Sequence, residues 1–315
     1  MTGNSDDPPA GGPPGGSARR ALLLVNRHAR NGTADLDAVR AALAAAGVAV
    51  EERDTARKQP IPDLIRRHGP GYDCVIVGGG DGTLNAVAPA LRETGLTLGV
   101  LPLGTANDLA RSLGIPADPL AAARIIAHGH VHTVDLGEVN GHLFWNVASL
   151  GMSVDLARTL STHLKKRWGR LGYALAGLRI LRRMRPFSAE IVTPEGTRRV
   201  RTVQIAVGNG RHYGGGLTVE ENASLDDGLL HVYSLEIAHW WELLRLLPAF
   251  RNGRHGTHRG VRAFACDAVE IRTRRPQRVN TDGEVSTTTP ARFRVLRGAV
   301  RVYTPAAGPP GGPEG

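Results

Sequence analysis

The residues with the clearest chemical content lie in Val77-Gly78-Gly79-Gly80-Asp81-Gly82-Thr83-Leu84-Asn85. This stretch leaves an apolar strand and opens a helix. Consecutive glycines let a backbone approach a phosphate closely and aim N–H groups at it, beside a helix N-terminus that favours negative charge. Thr83 is placed to cap that helix or to donate to a phosphate oxygen. A carboxylate beside a phosphate repels it unless a divalent cation lies between them, so Asp81 points to Mg²⁺. The plainer alternative is a glycine-rich turn with an Asp cap. Two familiar phosphate loops are excluded. No Gly-Lys-Ser/Thr is present, so this is not a Walker A loop. The third glycine of the dinucleotide fingerprint is replaced by Thr83 or Asn85, depending on where counting starts.

Three further stretches carry polar groups at turn-like positions. In Leu101–Arg111 (LPLGTANDLAR), Thr105 and Asn107 could hydrogen-bond a nucleotide, and Asp108 could serve a metal or cap a helix. In Val279–Val285 (VNTDGEV), Asp-Gly is a hairpin signal and Glu284 follows it. In Ser224–Leu230 (SLDDGLL), paired acids before a glycine could bind a hard cation with help from backbone carbonyls, or form a simple turn.

The elements that must position these residues change character along the chain. Ala21–Asn26, Asp73–Val77 and Thr97–Leu101 are continuous apolar runs, as expected of strands buried on both faces. Val48–Asp54 reads as another strand. Helices are predicted at Asp35–Ala46, Ile61–His68, Thr83–Glu93 and Thr105–Leu113. Alternating buried strands and helices predict an α/β, doubly wound parallel sheet. Both loops then lie at the carboxyl ends of strands, where such sheets bind ligands. Past about residue 130 the segments become short and β-like, interrupted by helical stretches near 162–183 and 238–250. This predicts a C-terminal antiparallel β domain, with a boundary near 135. Residues 1–17 and 305–315 are Pro/Gly-rich tails expected to be disordered.

Composition narrows the function classes. The 315 residues carry 41% hydrophobic residues, enough for two cores. Two cysteines, Cys74 and Cys266, exclude a disulfide scaffold and a multi-cysteine zinc site. Aromatics at 4% argue against a stacking reader of single-stranded nucleic acid. The formal charge of +10 favours anionic partners: nucleic acid, an acidic membrane face or phosphorylated substrates. No apolar run reaches the length of a membrane span and the N-terminus has no secretory h-region, so a cytoplasmic location is expected.

Taken together, GGGDGTLN (78–85), PLGTANDLARSLGIP (102–116), GNGRHYGGG (208–216), DDGLL (226–230) and DGE (282–284) resemble the bacterial diacylglycerol-kinase-like lipid kinases of the YegS type. Sphingosine and ceramide kinases are more distant relatives. The resemblance spans nearly the whole folded chain, in the family's order. It implies an N-terminal NAD-kinase-like nucleotide-binding domain and a C-terminal β-sandwich, with ATP and a membrane lipid meeting in the cleft. The domains would be 18–135 with a returning segment 297–304, and 136–296.

By motif, the resemblance places Gly79, Gly80, Asp81, Gly82, Thr83, Leu84 and Asn85 at the ATP phosphates. Thr55, Thr105, Asn107 and Asp108 would complete the nucleotide side. Glu284 would be the general base, and Asp227 with the carbonyls of Ser224 and Leu229 would hold a structural Mg²⁺. Two departures stand out. Ala86 occupies a position where the family usually has Glu, and the first-strand loop, Asn26 to Gly32, lacks the usual Asn-Pro pattern. The alternatives are an NAD-kinase-type small-molecule kinase and a catalytically weak lipid- or nucleotide-binding regulator.

Residues 156–189 contain nine Arg or Lys and no Asp or Glu. Leucines and Trp168 near helical spacing make this a basic amphipathic stretch that would suit an anionic membrane surface, or simply pack on the β domain. The expected partners are therefore a membrane lipid and, transiently, the inner membrane face, with no nucleic-acid-reading motif. A homodimer is compatible with the resemblance. His128, His130 and His132 alternate at a helix-to-strand junction without an evident fourth metal ligand.

Overall fold

The computed structural model describes residues 18–26, 36–53, 55, 59–151, 185–209, 212–213, 217–218, 224–237 and 260–306. The two tails, most of the first-strand loop, most of the basic 156–189 stretch and both helices expected near 162–183 and 238–250 lie outside the described residues.

In chain order the N-terminal elements are β1 (Arg19–Val25), α1 (Leu36–Ala45), β2 (Val48–Arg53), α2 (Ile61–His68), β3 (Cys74–Gly79), α3 (Asp81–Thr94), β4 (Thr97–Pro102), α4 (Asp108–Ser112) and α5 (Pro119–His128). Next come β5 (Val131–Val139), β6 (His142–Phe144), β7 (Val147–Gly151), β8 (Phe187–Thr193), β9 (Gly196–Thr202) and β10 (Gln204–Gly208). The chain closes with β11 (His212–Tyr213), β12 (Leu217–Thr218), β13 (Leu230–Leu235), β14 (Val261–Cys266), β15 (Ala268–Thr273), β16 (Arg278–Thr281), β17 (Glu284–Thr288) and β18 (Ala291–Tyr303).

The first four strands run parallel in the order β2-β1-β3-β4. Every residue of β3 and β4 is buried, which is why their sequences are apolar throughout rather than alternating. α1 packs with α5 and α2 with α3, and these two pairs cover the sheet. The doubly wound architecture read from the sequence is the one observed.

The β-rich half is a sandwich. One sheet has the antiparallel order β14-β13-β10-β7-β16-β17. The facing layer contains β8, β9, β15 and β18, and Phe144, Ile205, Val232, Ile271 and Phe293 belong to the core between the layers.

This facing layer is not a separate sheet. β18 pairs antiparallel with β15 at its start and with β5 along most of its length. At its far end Val302 pairs parallel with Leu98 of β4. One ten-stranded sheet therefore runs through both halves. At about 3.3 Å per residue, thirteen residues reach roughly 40 Å, enough to cross from one core to the other. Short β-like patches in the sequence show only the first part of this strand, because Gly298 and a register shift between Leu296 and Val300 interrupt its alternation.

Two local boundaries also differ from the sequence expectation. α3 begins at Asp81 rather than Thr83, and Gly78 and Gly79 still pair with Leu101 and Pro102 in the sheet. The glycine run is thus a strand end joined to a helix through Gly80 alone. α4 is a single short turn at Asp108–Ser112, because Asn107 adopts a left-handed conformation (φ 51°) just before it.

Candidate active site

The strand-to-helix junction at Gly80 meets the loop after β4. A Cβ on Gly80 would lie 3.0 Å from the Cα of Gly104, and one on Gly104 would lie 2.6 Å from the Cα of Gly80. Only glycine at both positions lets the two loops touch. Gly79 is equally constrained, since a Cβ there would sit 2.6 Å from that of Thr83. The two loops line a recess of about 540 Å³ together with Asn26, Thr83, Ala86 and Thr105, and with Pro60, Ile61 and Pro62 on one wall.

The side chains around this recess divide into those that face it and those that build it. Thr83 accepts a hydrogen bond from Asn26 Nδ2 at 3.0 Å, which fixes its hydroxyl at the cleft rather than as a helix cap. Asp81 accepts the backbone N–H of Leu109 at 3.2 Å and so ties the first turn of α3 to the start of α4. Asp108 opens α4 beside it. Among the described residues, Asn85 Oδ1 is buried without a hydrogen-bond partner.

Three residues that the resemblance places at the nucleotide are also engaged within the fold. Leu84 is fully buried in the core. Its N–H bonds to the Gly80 carbonyl and its own carbonyl takes the Trp145 indole N–H. Asn107 closes its own loop: Oδ1 accepts from the Gly104 N–H at 2.9 Å and Nδ2 donates to the Gly104 carbonyl. Thr55 lies at the carboxyl end of β1, with its hydroxyl donating to the Val25 carbonyl. Short polar side chains near turns satisfy local backbone groups as readily as ligands, and sequence does not separate the two uses.

Glu284 comes from the other half of the chain to lie beside Gly82, one of the residues that line the recess. It is exposed, and its Oε1 lies 3.7 Å from where a Cβ of Gly82 would be. A tight turn delivers it: Asp282 and Gly283 both have positive φ (46° and 100°), and Asn280 Oδ1 accepts the Gly283 N–H at 2.8 Å. The Asp282 carboxylate accepts three backbone N–H groups, from Trp145 at 2.7 Å and from Asn146 and Val147 at 3.0 Å each. Burial pushes the Asp282 carboxyl up to about 6 against the pull of these three donors, and the nearby Asp81 acts in the same upward direction.

Ser224, Asp227 and Leu229 form one turn. Asp227 accepts the Ser224 N–H at 3.1 Å, the Leu229 N–H at 2.8 Å and His231 Nε2 at 2.8 Å. Burial works against its ionisation, but His231 and the two N–H groups outweigh it and leave the carboxyl below its ordinary value. The oxygens offered here, an ionised carboxylate and peptide carbonyls, are those a hard cation uses. Behind the turn, the buried Asp135 accepts the Gly228 N–H at 2.8 Å and the Gly298 N–H at 2.7 Å, binding the turn to β18. His132 is held by Asp226 at 2.6 Å. Among the described residues no group of three or more His, Cys, Asp or Glu side chains forms a metal cluster, and the alternating histidines do not converge.

Sequence reading missed Asn26, the Pro60–Ile61–Pro62 wall and Trp145. Asn26 had a signal, as a polar residue ending a buried strand beside the glycine run. Trp145 had none, because its role depends on two elements far apart in the chain.

Known proteins resemble this chain in both halves. Residues 20–139 match the diacylglycerol kinase catalytic domain, and residues 146–304 match the YegS C-terminal NAD kinase beta sandwich-like domain. A Pseudomonas aeruginosa protein named "Probable lipid kinase YegS-like" is 36% identical over 76% of this chain and 79% of its own length. A Bacillus subtilis diacylglycerol kinase is 32% identical over 74% of this chain and 78% of its own. A solved structure from Bacillus anthracis, assigned to the diacylglycerol kinases, superposes with a TM-score of 0.74 at 26% identity, covering 92% of this chain and 98% of that one. With both halves matched in order and relatives more than 30% identical over three quarters of its length, this chain belongs to the YegS-type family of diacylglycerol-kinase-like enzymes.

Proposed function

We propose that this protein transfers the γ-phosphate of ATP to a hydroxyl of a membrane lipid. The observation that carries the reading is the approach of Glu284 to Gly82 at the mouth of the glycine-lined recess. The recess fits a nucleotide's phosphates: two glycine backbones in contact leave room that side chains would fill, and among the described residues the Asn85 oxygen is buried without a partner. Gly80, Gly82 and Thr83 would face the phosphates, Thr105 the nucleotide, and the Pro60–Pro62 wall its apolar portion.

The Ser224–Asp227–Leu229 turn would hold a structural Mg²⁺, and Asp81 is the residue that would hold Mg²⁺ at the phosphates. When bound, the cation neutralises phosphate charge. The chain's own contribution is positioning and one proton transfer. Glu284 takes the proton from the lipid hydroxyl as its oxygen bonds to the γ-phosphorus, the bond from that phosphorus to the bridging oxygen breaks, and ADP leaves with the electron pair. Among the described residues no helix is long and apolar enough to cross a membrane. In this reading access to a bilayer substrate is peripheral, at the cytoplasmic face, with the basic 156–189 stretch as one contact.

The test is transfer of labelled phosphate from ATP and Mg²⁺ to a panel of lipids in mixed micelles, with wild type beside Glu284→Gln. Labelled lipid with wild type and none with the variant supports the reading. Transfer to a soluble nucleotide instead would make this an NAD-kinase-type enzyme.

A further inference from the structure

The outer face of the ten-stranded sheet carries an unbalanced set of arginines. On this face Arg199 of β9 lies beside Glu190 of β8, which in turn lies beside Arg272 of β15. That row is neutralised in part by the Arg199–Glu190 pair at 2.9 Å and the Arg272–Glu270 pair at 2.9 Å. One step along the strands the composition changes. Arg201 is opposite Ser188, and Arg274 and Arg275 follow the end of β15. All three arginines are exposed, and among the described residues none has a carboxylate partner. They line two adjoining shallow recesses of about 550 and 320 Å³ that share Ser188, Thr273 and Arg274.

The position of this patch matters as much as its charge. Gly151, at the end of β7, lies against Phe187 at the start of β8: a Cβ on Gly151 would be 2.9 Å from the Phe187 ring. The stretch between them therefore leaves and re-enters the fold at one place. That place adjoins Ser188, and so adjoins Arg201 and Arg274. By sequence the same stretch, 152–186, holds nine Arg or Lys against one acid, Asp155.

We propose that Arg201, Arg274 and Arg275 form a docking surface for the phosphates of an anionic lipid bilayer, continuous with the attachment point of the basic stretch. The guanidinium group is suited to this because it binds phosphate oxygens through paired N–H donors and is weakly hydrated. Two neighbouring recesses open to solvent fit separate headgroups on a surface better than one enclosed ligand. The proposal rests on the lipid-kinase reading for its choice of a bilayer over another polyanion.

The experiment is co-sedimentation of the full chain with phosphatidylglycerol/phosphatidylcholine vesicles at low and high salt. Arg201→Gln/Arg274→Gln/Arg275→Gln is compared with a charge-matched control, Arg67→Gln/Arg92→Gln/Arg124→Gln. Each basic residue near an anionic surface contributes about five-fold in binding, so the patch variant should bind the order of a hundred-fold more weakly. The control should bind nearly as wild type, and high salt should erase the difference. Equal loss in both variants, wild-type binding by the patch variant, or wild-type binding to single-stranded RNA but not to vesicles would each overturn the proposal. Turnover of a short-chain, water-soluble diacylglycerol is read in parallel. It should be unchanged in the patch variant. If no lipid is phosphorylated by wild type, the lipid-kinase reading fails while the vesicle comparison still decides the surface.

Discussion

Trp145 joins the two sides of the cleft: its indole N–H donates to the Leu84 carbonyl in α3 at 2.9 Å, while its backbone N–H donates to Asp282 at 2.7 Å. Leu84 lies in the helix that begins with Asp81, and Asp282 forms the turn that ends in Glu284. One buried residue thus spaces the glycine junction at the start of α3 from the turn that carries Glu284. Trp145→Phe keeps most of the packing and removes one hydrogen bond. It should cost about 1 kcal/mol of stability and lower kcat more than it changes the KM for ATP. Denaturant titration and steady-state kinetics read the two effects.

Glu284 is exposed and acts, in the proposed reaction, only when a hydroxyl is present. Glu284→Gln should therefore leave the melting temperature unchanged and retain ATP binding. Its kcat should fall by about 10² to 10⁴, the range of a lost general base. A variant with wild-type turnover would remove Glu284 from the mechanism.

Gly80 and Gly104 leave no room for a methyl group between them. Gly104→Ala should force the two loops apart at a cost of about 1–3 kcal/mol and weaken ATP binding by at least ten-fold. Calorimetry with ATP, with and without Mg²⁺, checks this directly.

Asp282 gives stability a particular pH dependence. Its carboxyl sits at about 6 in the folded protein and about 3.9 when unfolded. Between those values the folded state holds the extra proton, so this residue makes stability fall as pH rises from about 4 to about 6, by no more than ~3 kcal/mol. Asp282→Asn should flatten that segment of the stability–pH curve. It should also lower stability at pH 7 by about 1–3 kcal/mol, because one amide cannot accept all three N–H groups.

The parallel half of the fold was legible because burial on both faces writes itself as unbroken apolar runs, such as Leu22–Val25 and Val75–Val77. The glycine loop and the Asp282–Gly283 turn were legible because their backbone geometry restricts residue type. Side-chain assignments were less so. Asn107 and Thr83 are both small polar groups at a strand-to-helix junction, yet one closes its own loop and the other lines the recess. Only the first part of β18 is legible as a strand, because its outer face is solvated near Arg297 and Gly298, where no apolar alternation is needed.

The path of β18 has a consequence for how the protein is made. The parallel sheet is missing its neighbour beyond β4 until residues 291–303, near the end of the chain, have been synthesised. The N-terminal half emerges from the ribosome well before that. Until then β4 presents an unpaired edge, a feature that invites association with other chains. Folding of the N-terminal half is thus tied to synthesis of residues 291–303, and a chain stopped before residue 291 should accumulate as an aggregation-prone intermediate rather than as an independent folded half.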